Sequence, residues 1–183
     1  MGKLTFILGG ARSGKSSYAQ RLAEKHGGQV ALIATATPSD EEMAVRIRNH
    51  QNDRPPGWIT REIPWGVAAA LKVDPLPADV ILLDCLTLLV SNLLLHDGES
   101  GVNEASAALL LENEITTLLA TVRNSRAMWI IISNEVGLGL VPPYPLGRIY
   151  RDLLGRTNQQ VAAFADEVFW MVAGIPVPID EYR

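Results

Sequence analysis

Two patterns of apolar residues alternate along the chain. Continuous apolar runs, which read as buried strands of a parallel sheet, occur at Leu4–Leu8, Gln29–Ala34, Asp79–Asp84, Ala127–Ser133 and Asp166–Ala173, and a shorter alternating run lies at Trp58–Ile63. Between them, apolar residues recur at the three-to-four spacing of a helix face. The predicted helices are Ser17–His26, a segment through Met43, Ala44, Ile47 and His50, then Trp65–Lys72, Cys85–Leu95, Asn103–Asn124 and Leu146–Ala165. Gly27-Gly28 closes the first as C-terminal glycines do. Ser39 and Glu42 have capping-box spacing at the start of the second, and Pro55-Pro56 stops it. Gly174–Arg183 reads as a proline-bearing tail. Strand and helix taking turns over the whole length predict an α/β fold, its largely parallel sheet covered by helices on both faces.

The turn from the first strand into the first helix carries candidate chemistry. Gly9-Gly10-Ala11-Arg12-Ser13-Gly14-Lys15-Ser16 fills the phosphate-loop pattern G-x-x-x-x-G-K-[ST] in its expected context, after a strand and before a helix. Its glycines let successive backbone N–H groups turn toward a polyphosphate, and the helix adds its positive end. Lys15 is placed to reach the β- and γ-phosphates, and the Ser16 hydroxyl to ligate Mg²⁺. Asp79–Asp84 is an apolar strand ending in one carboxylate, the form of a Walker B element, where Asp84 would hold Mg²⁺ opposite the loop. Thr35 and the pair Asn134-Glu135 fall at the carboxyl ends of other strands, where open α/β sheets bind ligands. Met43, Ile47 and His50 recur at i, i+4 and i+7, so His50 shares a face with apolar residues. Periodicity leaves it open as a packing residue. Arg46, Arg48 and Arg54 around it read either as a solvated face or as phosphate ligands.

Composition narrows the classes further. At 183 residues, with 48% hydrophobic and 20% charged, the chain suits one globular domain spanning 1–183. The net charge of −4 gives no support to a nucleic-acid partner. Cys85 stands alone, which excludes an internal disulfide framework and fits a reducing cytosol. The longest uncharged apolar run, Cys85–Leu95, is too short to span a bilayer, and Met1-Gly2-Lys3 leads straight into a strand with no signal-peptide core. The expectation is a cytoplasmic protein without membrane insertion.

Taken together, these stretches resemble the bifunctional adenosylcobinamide kinase and adenosylcobinamide-phosphate guanylyltransferase family of cobalamin biosynthesis. The resemblance runs nearly end to end. It rests on Gly9–Ser16, Ile33-Ala34-Thr35, Asp40–Met43 followed by Arg46-Ile47 and His50–Pro55, Ile81–Thr87, Asn134–Gly137, Gly155–Gln159 and Ala165–Val168. It implies a P-loop NTPase fold of RecA-like, three-layer type, with ATP and GTP as substrates, Mg²⁺, a corrinoid acceptor and a homotrimer. It also implies that His50 is the nucleophile that takes GMP from GTP, with Asn49 standing where some members have a second histidine. Lys15 is implied as the other catalytic group. Gly9, Gly10, Ala11, Arg12, Ser13, Gly14, Lys15, Ser16, Ala34, Thr35, Ala36, Gln51, Asn52, Asp53, Arg54, Glu62 and Asp84 are implied to surround the nucleotide. Ser16 and Asp84 are the implied metal ligands. Two other functions fit the phosphate loop: a kinase that lacks the guanylyl step, and a nucleotide-switched binding module.

Overall fold

The computed structural model describes residues 2–38, 41–52, 55–96 and 103–182, with the side chains of residues 42, 43, 46, 49, 50, 52 and 182 left outside the description. Ser39, of the expected capping box, and Asp53 and Arg54, of the expected nucleotide site, are therefore outside the described residues.

Seven strands form one sheet: β1 (Leu4–Gly9), β2 (Val30–Ala34), β3 (Ile59–Glu62), β4 (Val80–Asp84), β5 (Met128–Asn134), β6 (Glu167–Val172) and β7 (Ile175–Pro178). Their spatial order is β3-β2-β4-β5-β1-β6-β7. Every neighbouring pair is parallel except β6 and β7, which are antiparallel. The described helices are α1 (Lys15–His26), α2 (Glu41–Asn52), α3 (Val67–Val73), α4 (Leu86–Leu94), α5 (Glu104–Asn124) and α6 (Pro145–Phe164).

The alternation of side chains along each strand sorts the core into two parts. Ile7, Val30, Leu32, Val80, Leu82, Ile130 and Ile132 pack under α1, whose Ala19 and Ala23 are fully buried. Those small side chains let α1 lie close to the sheet. Leu4, Phe6, Ile33, Ile81, Leu83, Trp129 and Ile131 face the other way, into a larger core closed by α3, α4, α5 and α6. Helices thus cover both faces, as the sequence pattern predicts, with α3–α6 gathered on one side.

Boundaries follow local chemistry. Gly27, at φ 77°, ends α1, and the Asn103 side chain caps α5 by accepting from Ser106 N–H at 3.1 Å. Pro145 sits at the first turn of α6, where a missing N–H costs nothing. Helix α3 begins at Val67 and not at Trp65, because Gly66 takes φ 68° and turns the chain into it.

One expectation is corrected. Residues 175–178 are not a tail but the seventh strand, joined to β6 through Ala173 (φ 49°) and Gly174 (φ 84°). Positive φ at both central residues is the signature of the two-residue turn that matches strand twist. Pro176 lies opposite Met171 and Pro178 opposite Phe169, and Ile179 N–H donates to Val168 O at 2.9 Å. Proline is tolerated because β7 is an edge strand.

Candidate active site

The phosphate loop bridges β1 and α1 at the carboxyl edge of the sheet. Gly9 takes φ 157°, and Gly14 takes φ 94° at the N-cap of α1, which has no side-chain cap. The first N–H groups of α1 are thereby left to an anion. Arg12 also has positive φ, 56°, and is exposed. Side chains are excluded at the two turning glycines. A Cβ on Gly9 would lie 2.8 Å from Met171 O, and one on Gly14 would lie 3.1 Å from Gly174 Cα. The loop is held from both flanks, by Glu135 N–H on Gly9 O at 3.2 Å and by Gly174 N–H on Ser13 O at 2.9 Å.

Lys15 is only 7% exposed and folds back on its own loop, its Nζ donating to Gly9 O at 2.9 Å and to Gly10 O at 2.6 Å. Burial lowers its pKa, against smaller upward influences from Cys85 and the Asp84 carboxylate. Asp84 ends β4 on the α1 side of the sheet, in line with Val80 and Leu82, and it interacts electrostatically with Lys15. Ser16, in the first turn of α1, is half-buried. A hydroxyl and a carboxylate on that face make a hard-oxygen donor pair. Among the described residues no group of three His, Cys, Asp or Glu can hold a metal. This pair fits Mg²⁺, which takes one or two protein oxygens and completes its shell with water and phosphate. Burial and the neighbouring Asp84 push the Cys85 thiol up to about 12, so it stays protonated and is no nucleophile.

Thr35, expected near the nucleotide, is fully buried. Its hydroxyl donates to Cys85 O at 2.7 Å and accepts from Cys85 N–H at 2.8 Å, while its own N–H donates to Asp84 O at 3.1 Å. Thr35 thus grips the Asp84–Cys85 peptide, which is cis, with its side chain. Ala34 closes β2 beside Asp84, and Ala36 follows on the exposed edge. Glu62, at the end of β3, accepts from Gln51 Nε2 at 2.8 Å. That bond brings the last turn of α2, which carries His50 and Asn52, to the same edge of the sheet. The backbone of His50 lies within α2, and its side chain is outside the description. His96, for which the sequence offers no partner, lies against Trp65 with ring centroids 5.0 Å apart.

Two groups of positioning residues have no role in the sequence reading. Asn92 of α4 donates to Thr35 O at 2.7 Å and Pro64 O at 3.2 Å, and accepts from Thr37 Oγ1 at 3.2 Å, fastening the ends of β2 and β3. Behind β5, Ser133 Oγ donates to Asn158 Oδ1 at 2.7 Å, and Asn134 N–H donates to Thr87 Oγ1 at 2.7 Å. The signal for both groups is a polar residue where the pattern calls for an apolar one. Asn92 interrupts an apolar run, and Asn158 sits on the stripe of α6 between Leu154 and Val161.

A parallel sheet with a phosphate loop leaving one strand and a carboxylate ending a second strand, one strand removed, defines a P-loop nucleotide-binding protein of α/β type. In accord with this, the fold resembles the RadB recombinase, with a TM-score of 0.51 at 16% identity over 92% of this chain and 73% of that one. The family described as cobinamide kinase / cobinamide phosphate guanyltransferase matches residues 5–179. The bifunctional adenosylcobalamin biosynthesis protein CobU of Salmonella typhimurium is 41% identical over 180 residues, covering 96% of this chain and 99% of its own length. CobP of Pseudomonas aeruginosa, which has the same description, is 42% identical over 173 residues, covering 94% and 95%. The chain belongs to the cobinamide kinase / cobinamide phosphate guanyltransferase family. It is a two-step transferase, as the resemblance implies.

Proposed function

We propose that both steps use the carboxyl edge just described, within a single domain, and that the guanylyl step runs through a GMP-histidine at His50. In the first step a nucleoside triphosphate, ATP or GTP, sits with its phosphates on the N–H groups of Gly9–Ser16. Lys15 exchanges its carbonyl partners for phosphate oxygens, and the terminal hydroxyl of adenosylcobinamide is phosphorylated. Ser16 and Asp84 would hold Mg²⁺, which supplies charge neutralisation on the phosphates when bound.

In the second step the neutral imidazole of His50 attacks the α-phosphorus of GTP. The bond to the β-phosphate breaks and pyrophosphate leaves. The phosphate of adenosylcobinamide phosphate then attacks the same phosphorus, the N–P bond breaks, and adenosylcobinamide-GDP departs with His50 restored. Attack requires the neutral imidazole, whose unprotonated nitrogen carries the lone pair. Glu62 accepts from the guanine N1–H and N2–H₂ groups, with Ala34, Thr35 and Ala36 beside it and Gln51, Asn52, Asp53 and Arg54 around the ribose and phosphates.

The observation that carries this reading is the Gln51–Glu62 hydrogen bond. It ties the last turn of the helix bearing His50 to the strand end that carries the proposed guanine ligand. The active form is a cytoplasmic homotrimer with no nucleic-acid partner and no membrane insertion. No described helix is long and apolar enough to cross a membrane. Incubation with α-labelled GTP tests the central claim. The parent protein should acquire an acid-labile, alkali-stable label, and His50→Ala should lose it while keeping part of its kinase activity. Label that persists in folded His50→Ala, or that maps to His26 or His96, would remove His50 from the mechanism.

A further inference from the structure

We propose that Asn134 is a catalytic residue of the kinase step, its carboxamide donating to the γ-phosphoryl group in transit. The proposal rests on the reading of Gly9–Ser16 as the triphosphate site.

Three observations converge on this residue. The first is its place in the sheet. Strand β5 lies between β1 and β4, so its end sits between the phosphate loop and Asp84. Asn134 is in register with Gly9, whereas Asp84 is in register with Ile132. Asn134 therefore stands two residues further toward the open edge than the carboxylate.

The second is the face it occupies. Ile130 and Ile132 pack under α1, while Trp129 and Ile131 face the opposite core. Alternation puts Asn134 on the α1 face with Asp84 and the start of the helix that bears Lys15.

The third is how its backbone is held. The N–H of Asn134 donates to Thr87 Oγ1 at 2.7 Å, and its carbonyl accepts from Asn158 Nδ2 at 3.1 Å. Asn158 is fixed in turn by Ser133 Oγ at 2.7 Å. Thr87, Ser133 and Asn158 are 5%, 0% and 5% exposed. Burying three polar side chains is costly unless each is satisfied, and here they serve to fix one strand end. Asn134 is half-buried, and the hydrogen bonds it makes among the described residues engage its backbone rather than its carboxamide. Its neighbour Glu135 is otherwise engaged, its carboxylate taking the Gly137 N–H and its own N–H going to Gly9 O.

A neutral amide with two donors suits the equatorial oxygens of a phosphoryl group in transfer, where negative charge is spread and a carboxylate would repel. In the step it assists, the substrate hydroxyl oxygen bonds to the γ-phosphorus and the bond to the β,γ-bridging oxygen breaks. The nucleoside diphosphate leaves with the electron pair, and the hydroxyl proton departs on the new phosphate ester. Asn134 takes no proton.

Steady-state kinase assays and calorimetry on full-length Asn134→Ala, with a non-hydrolysable triphosphate and with the diphosphate, test the proposal. Loss of one pre-aligned donor should lower kcat about a hundredfold. Triphosphate affinity should fall while diphosphate affinity stays the same. Asn134→Asp should bind triphosphate more weakly still. A folded Asn134→Ala with the parent's kcat overturns the proposal, as do equal losses of diphosphate and triphosphate affinity, which would mark a merely structural residue. Should Asn134→Ala not fold, the same measurements on Asn134→Ser decide between these outcomes. Unchanged triphosphate binding in Lys15→Ala would instead indict the phosphate-loop reading itself.

Discussion

Lys15 shows how one residue joins folding to binding. Its ammonium is buried and hydrogen-bonded to neutral carbonyls of its own loop, so a phosphate offers anionic oxygens in exchange for weaker partners. Charge-assisted hydrogen bonds contribute about 1.5–3 kcal/mol each. Lys15→Ala should therefore weaken triphosphate binding by roughly ten- to a hundredfold in calorimetry, with the fold intact by circular dichroism. Glu114 shows the reverse balance. It accepts from Val67 N–H at 2.9 Å, yet burial raises its pKa above the usual 4.5. The folded chain thus holds this proton more tightly than the unfolded one. The resulting stability is present below the unfolded value and is lost as pH rises through the raised one. Glu114→Gln keeps an oxygen for Val67 and removes the titration. Denaturant midpoints of the parent should fall relative to the variant as pH rises above about 4.5, and a constant difference would exclude this origin.

At the scale of elements, most strands and helices were legible because continuous apolar runs and helical spacing are strong signals over long segments. Strand β7 was not. Pro176 and Pro178 argue against a strand, and Ala173-Gly174 lacks the Asn-Gly or Asp-Gly signal of a tight hairpin. Ala173 nevertheless adopts φ 49°, where a Cβ costs about 1–2 kcal/mol and Asn is better tolerated. Ala173→Asn should therefore stabilise the protein by about 1 kcal/mol in urea unfolding; a destabilised variant would show that the turn is not limited by that strain. In the site, Gly9–Ser16 and Asp84 could be read directly, since their chemistry is local in sequence. Asn92 and Asn158 could not be assigned a role, because their partners Thr35, Pro64, Ser133 and Asn134 lie at least two dozen residues away. Only the fold brings them together.

At the scale of the whole molecule, the described residues contain one phosphate loop for a family with two chemical steps. If kinase and guanylyl transfer both load their triphosphate there, a non-hydrolysable ATP analogue should inhibit GMP labelling competitively against GTP. Noncompetitive inhibition would require a second nucleotide site. The outermost strand on the far side of the loop has a separate consequence. Because Ile179 N–H points inward to β6, alternation turns the backbone N–H and C=O groups of Ile175 and Val177 the same way and leaves the carbonyls of Pro176 and Pro178 on the outer edge. That rim presents carbonyl oxygens without amide hydrogens. Another β-strand laid alongside it would find acceptors but no donors, so copies of this chain cannot fuse their sheets there into a continuous ribbon. Contact between copies across this rim must be made by side chains meeting side chains. The same rim guards this edge of a sheet rich in isoleucine and valine against edge-to-edge aggregation when the protein is concentrated or warmed.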